Sequence, residues 1–149
     1  MRMRRTLAAV GALQLAAGLA GHVVAVRERR AFDLALLGWR GRPERVARDA
    51  LIYGTGLSAP PVMLVAQLAA LLRLAAGASR PAARTLGLLG TAMVPGCALE
   101  REFWQVLRPG GVDPVVTPIA VAGFGLAVAM AVLGFTAGQG EIDRRLLPN

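Results

Sequence analysis

CALEREFWQVLR, Cys97–Arg108, sets three charged residues in a row, Glu100, Arg101 and Glu102, at the end of a long apolar segment. Counted from Thr85 to Leu99, that segment has 15 residues. As a helix this is about 22 Å, too short for a hydrocarbon core of roughly 30 Å. Counted to Leu107 it has 23 residues and is long enough, but Glu100, Arg101 and Glu102 then lie inside it. The length therefore predicts Glu100 at or below a membrane interface. A second pattern runs through the same stretch. Arg101, Gln105 and Arg108 fall at i, i+4 and i+7, opposite Leu99, Phe103 and Val106. That is the spacing of an amphipathic helix end emerging among headgroups, with Trp104 at the interface.

The rest of the chain reads in the same way. It is 55% hydrophobic and 17% charged, with a mean hydropathy of +0.53. The charges are pushed between apolar blocks, whereas soluble domains are nearer a quarter charged and mix the two. Four blocks are long enough to be membrane helices: residues 6–26, 50–72, 85–107 and 114–137. The expected fold is a single all-α domain over 1–149, an integral membrane four-helix bundle. Pro60-Pro61 is expected to kink the second span or unwind a turn of it, and Pro95-Gly96 interrupts the third.

The connection 27–49 is Arg-rich, with Arg27, Arg29, Arg30, Arg40, Arg42, Arg45 and Arg48 against Glu28, Asp33, Glu44 and Asp49. Phe32, Leu36 and Trp39 at i, i+4 and i+7 predict a short interfacial amphipathic helix over 31–39. Pro43 is placed to open the next helix, where Glu44–Arg48 and Arg45–Asp49 would be i,i+4 ion pairs. Small residues recur every fourth position at Ala8, Ala12, Ala16 and Ala20, and at Gly123, Ala127 and Ala131, with Gly134 and Gly138 forming a GxxxG. Such ridges let membrane helices approach closely, within the chain or in a homo-oligomer or membrane-protein complex.

All seventeen basic residues are Arg, and the net charge is +8. In a membrane protein this predicts contact with anionic headgroups. Seven aromatic residues are too few for a nucleic-acid stacking surface, so no nucleic acid is expected. The predicted location is the plasma membrane, multi-pass, with cytoplasmic termini because a basic cluster directly precedes the first helix.

Hairpin arithmetic puts His22, Asp49, Tyr53, Glu100, Glu102 and Asp113 on the membrane face that carries the Arg-rich loop. Ionisable groups at membrane depth are costly and often functional. His22, Glu100 and Glu102 are thus the candidates for acid–base or proton-relay roles. Asp49, Tyr53, Arg45 and Arg48 are candidates for binding. The competing reading gives His22 a helix–helix hydrogen bond and the acidic pair an ordinary amphipathic exit. Gln14 and Gln67 are expected as packing contacts. One His and one Cys cannot make a structural zinc set, and no GxSxG-type turn exists, so no metal and no cofactor are expected.

Two functions fit these residues. One is a non-catalytic membrane subunit or accessory protein acting through helix packing. The other is a membrane enzyme or carrier for a lipophilic molecule, with a polar pocket at the Arg-rich loop face. The sequence leaves open whether the chain is an enzyme.

Overall fold

The computed structural model describes residues 2–77 and 79–146. In chain order they form α1 (Arg2–Arg27), β1 (Asp33–Leu34), β2 (Trp39–Arg40), α2 (Val46–Tyr53), α3 (Pro61–Ala75), α4 (Ser79–Leu99), α5 (Arg101–Val106) and α6 (Val116–Leu146). Among the described residues three stretches are helical, long and apolar enough to cross a membrane: Arg2–Arg27, Arg80–Leu99 and Val116–Ala137. Their length and composition suggest a membrane protein. Its outer surface carries exposed Leu13, Leu19, Leu88, Val121 and Val132. An apolar exterior of this kind suits a lipid solvent and would be a liability in water.

The bundle closes on glycine. The buried seam of α1 is Leu7, Gly11, Gln14, Gly18, Gly21 and Ala25, alternating three and four residues apart as an interhelical seam does. A Cβ on Gly11 would meet Leu71, one on Gly18 would meet Leu64, and one on Gly21 would collide with the Leu57 carbonyl. The predicted alanine ridge is not this seam, since Ala12, Ala16 and Ala20 are exposed. Between α4 and α6, Gly90 stands so close that an added Cβ would lie 2.6 Å from the Ala127 oxygen. Gly87 likewise faces Gly134. Ala127, Ala131 and Gly134 of the predicted α6 ridge therefore pack inside the molecule. The surroundings of Gly138 lie outside the described residues. The core gathers Leu7, Leu86 and Met130, all fully buried.

Four predicted boundaries differ. The segment 50–72 is not one helix: α2 stops at Tyr53 and α3 begins at Pro61. Gly54 turns the chain at φ +80°, Thr55 and Ser58 pair across a tight turn, and Pro60 and Pro61 have no N–H to continue a ladder. The third helix is displaced from 85–107 to Ser79–Leu99. Starting six residues earlier gives it about 30 Å without the acidic stretch. Arg80 and Arg84 join its first turns, where long side chains can reach the headgroups. Residues 31–39 form no amphipathic α-helix. β1 and β2 make an antiparallel hairpin, Asp33 opposite Arg40 and Leu34 opposite Trp39. It encloses a short 3₁₀ turn at Ala35–Leu37 and bends at Gly38 with φ +65°. Phe32 is buried while Leu36 is 81% exposed, so the i, i+4, i+7 set does not share a face. The last helix begins at Val116 rather than 114 and runs to Leu146. In the connection to α2, Pro43 does open a helical turn, the 3₁₀ turn Pro43–Arg45. Ion pairs among the described residues do not include Glu44–Arg48 or Arg45–Asp49.

Candidate functional site

Two interrupted helices meet at one place. The first interruption is 54–60, between α2 and α3. The second is Glu100, which leaves α4 in extended conformation (φ −73°, ψ 127°) before α5 starts. The hairpin causes the second break, because Leu34 pairs with the Glu100 backbone as an isolated antiparallel bridge. The open end of α4 is covered locally. Glu100 N–H donates to the Cys97 carbonyl at 3.2 Å, and the Trp104 indole N–H donates to the Ala98 carbonyl at 2.8 Å. These satisfy carbonyls that a helix end leaves without partners.

Between the breaks lies a cavity of about 180 Å³. The 54–60 segment forms one wall. Gln14 and Gly18 of α1, Met93, Gly96 and Cys97 of α4, and Ile119 and Gly123 of α6 form the others, with Glu100 and Phe103 at the loop end. Tyr53 also lines it, and the hairpin rests on that ring. The Phe32 and Tyr53 ring centroids are 5.2 Å apart, and Trp39 meets Tyr53 edge-on at 6.4 Å. Phe103 is held from the other side by Phe124, at 5.0 Å.

Polar groups in the cavity are few and poorly satisfied. Glu100 is only 7% exposed. Its Oε2 accepts the Asp33 N–H at 2.9 Å, and among the described residues it has no ion-pair partner. Glu100 lies one residue beyond the crossing segment Arg80–Leu99. Burial pushes its carboxyl up to about 7. The Asp33 N–H works against that rise, while the charges of Asp33 and Glu102 add to it. Gln14 is 5% exposed. Its Nε2 donates to the Met93 sulfur at 3.1 Å, and its Oε1 is buried without a hydrogen-bond partner. Buried polar atoms of this kind are uncommon enough to need a reason. Gln67, outside the cavity, acts as predicted for a packing amide through its nitrogen, donating across the bundle to the Gly11 carbonyl at 2.8 Å, while its Oε1, like that of Gln14, is buried without a partner.

The two acids of the opening stretch have different surroundings. Glu102 is tied to the loop through Arg30, which also meets Glu28 at 2.6 Å and Asp113 at 3.7 Å. Arg30 thus pins the loop to α5 and to the start of α6. Asp33 is shared by Arg40 at 3.2 Å and Arg101 at 3.7 Å. At the start of α6, Asp113 Oδ1 accepts the N–H groups of Val115 and Val116, each at 2.8 Å. The Val116 and then the Val115 bond hold its carboxyl below the usual range. Glu102, Arg30, Asp33, Arg40 and Arg101 line a separate charged cleft facing outward.

Of the sequence candidates, Glu100 and Tyr53 line the cavity. His22, Asp49, Arg45, Arg48 and Glu102 do not line it. His22 keeps its Nδ1 buried without a partner, and Arg45 and Arg48 are exposed on and beside the start of α2. Among the described residues no group of three His, Cys, Asp or Glu side chains is placed to hold a metal. Gln14, Thr55 and Cys97 are the lining residues that sequence reasoning passed over or assigned to packing. The signal for the 54–60 wall was Gly54 followed by Pro60-Pro61. In comparisons with known proteins, the chain matches no protein-family model, no curated protein and no solved structure.

Proposed function

We propose that this chain is a multi-pass plasma-membrane protein that holds a lipophilic small molecule in the cavity between its two helix breaks, as a carrier or ligand-binding subunit. In this reading α2, the 54–60 segment and α3 form a fourth, broken crossing. Alone, α3 has 15 residues, about 22 Å, and falls short of a bilayer. Non-helical backbone at membrane depth is stable only where protein or a cavity covers it, and broken helices mark the binding sites of many transporters. The observation that carries the proposal is the lining itself: segment 54–60 and Glu100, the two points where helices stop, face the same apolar cavity. The break sits well inside the bundle. Leu57 packs on Gly21, about 9 Å in from the Arg27 end of α1 at 1.5 Å per residue. The loop arginines would then lie at headgroup level, and the termini would be cytoplasmic.

Cys97 is the chain's one cysteine and lines the cavity, so it reports occupancy without any assay of activity. Its modification by N-ethylmaleimide should be slowed by indole, a neutral bicyclic probe, in the full chain in nanodiscs. Gly123 also lines the cavity, and a Cβ there meets nothing within 4 Å. Gly123→Leu should fill the space and remove the indole effect while the protein stays folded. Indole protection that persists in Gly123→Leu, or none in the wild type, would refute the reading.

A second reading, an accessory subunit acting by helix packing, is favoured by one observation. Ala12, Ala16 and Ala20 of α1 face outward, leaving a small-residue stripe for a second copy or another membrane helix.

A further inference from the structure

Two side chains that line the cavity, Glu100 and Gln14, leave acceptor oxygens without a donor or cation. Glu100 brings a carboxylate whose one described hydrogen bond comes from the Asp33 N–H. Gln14, 95% buried by its 5% exposure, has its amide nitrogen committed to Met93 and its carbonyl oxygen without a partner. Thr55 and Ser58 are engaged within the 54–60 wall: the Thr55 hydroxyl oxygen accepts the Leu57 N–H at 3.3 Å and the Ser58 hydroxyl donates to the Ala59 carbonyl at 3.2 Å. Tyr53 also lines the cavity, its ring packed against Phe32 and Trp39.

The nearby cations are spoken for. Arg30 is held by Glu28, Glu102 and Asp113, while Arg40 and Arg101 are held by Asp33. Glu102 and Asp33 are therefore each paired with arginine. Among the described residues Glu100 forms no ion pair, and it is the acid that lines the cavity. A ligand that satisfies this lining must bring donors and positive charge at one end and an apolar body at the other.

We infer that the ligand is a small lipophilic amine, bound as its ammonium ion. The ammonium meets Glu100, the apolar body fills the cavity toward α6, and a donor on the ligand meets Gln14 Oε1. This rests on the reading of the cavity as a lipophilic site and specifies its ligand class. The volume, about 180 Å³, resembles cavities that hold a benzene ring. It suits a single ring with a short amine arm.

The test uses two probes of the same shape, 2-phenylethylamine and 2-phenylethanol. For each, the concentration that halves Cys97 modification is measured in nanodiscs, as a ratio to the unprotected rate of the same variant. The amine is expected to lose about 10- to 100-fold in Glu100→Gln, the range for a hydrogen bond to a charged group. The alcohol is expected to protect wild type and variant alike. Comparing one probe between two variants cancels its partition into lipid, and alcohol protection in Glu100→Gln shows that the variant is folded. An amine that loses nothing in Glu100→Gln overturns the assignment and leaves the lipophilic site standing. If neither probe protects the wild type, the site itself fails and the assignment with it.

Discussion

Neutralising Glu100 should stabilise the protein, and only at neutral and alkaline pH. An ordinary glutamate titrates near 4.5, and burial raises Glu100 to about 7. At pH 4 the group carries its proton in both folded and unfolded chains and contributes no difference. As pH rises past 4.5 the unfolded chain releases its proton while the folded chain keeps it, so stability falls. Above pH 7 both forms are ionised and the loss is complete. A shift of this size corresponds to about 3 kcal/mol. Glu100→Gln keeps an oxygen for the Asp33 N–H and removes the charge. At pH 8 it should gain about 3 kcal/mol, or roughly 6–12 °C in melting temperature for a chain of this length. At pH 4 the gain should vanish. The groups that face Glu100 are Asp33 and Glu102, whose charges add to the rise, and Tyr53 and Cys97, which line the same cavity. Taking wild type minus variant at each pH cancels the other titrating groups. The assay is thermal unfolding in maltoside micelles from pH 4 to 8.5, followed by tryptophan fluorescence. A wild-type melting temperature that rises from pH 5 to 8 relative to the variant would show that the carboxylate is stabilised in place, and the reasoning would fail.

Glycines in the helices should respond with opposite signs. Gly90→Ala puts a methyl 2.6 Å from backbone atoms of Ala127 and Ala131 and should cost about 1–3 kcal/mol by overpacking. Gly123→Ala has open space and should gain about 0.4–1 kcal/mol. Equal effects at both sites in the same unfolding assay would contradict the close crossing of α4 and α6. For the outward alanine stripe, Ala16→Leu should abolish a crosslinked dimer in membranes without changing the melting temperature. A dimer that survives would leave the packing reading without its surface. Ala127→Leu is the contrasting case, because Ala127 is fully buried: it should unfold the bundle rather than separate copies.

What the sequence made legible follows from which signals are local. Apolar block length is local, and it located both ends of α1 to within four residues and the start of α6 to within two, but it set α4 six residues too late at its start and eight too late at its end. Proline chemistry is local, and Pro60-Pro61 announced the break between α2 and α3. The hairpin could not be read this way. Asp33–Leu34 is held in place by Trp39–Arg40 and by the backbone of Glu100, a partner 67 residues away from Asp33. The helical spacing of Phe32, Leu36 and Trp39 was real as a pattern and lost to that tertiary pairing. The same contact ended α4 at Leu99, so the length argument that put Glu100 inside a helix chose the wrong start for it. The glycine seam of α1 was missed for a different reason. Both Ala and Gly recur along that helix, and only packing distance tells which stripe faces inward.

The surroundings of Glu100 join these findings. Its burial comes from the hairpin: Leu34 pairs with its backbone, Asp33 donates to its carboxylate, and Phe32 with Trp39 holds the Tyr53 ring beside it. The hairpin is in turn fixed by arginines on its other side, Arg30 to Glu102 and Asp113, and Arg40 and Arg101 to Asp33. The arginines thus pair with every acid of this cluster except the one facing the cavity. A fold selected for stability alone would place an arginine there or a glutamine in the acid's position, since an unpaired buried carboxylate costs several times what a surface charge does. A buried carboxylate without an ion pair at the junction of two broken helices, in a cavity that also holds the unpartnered Gln14 Oε1, is the arrangement expected when the missing cation arrives with the ligand.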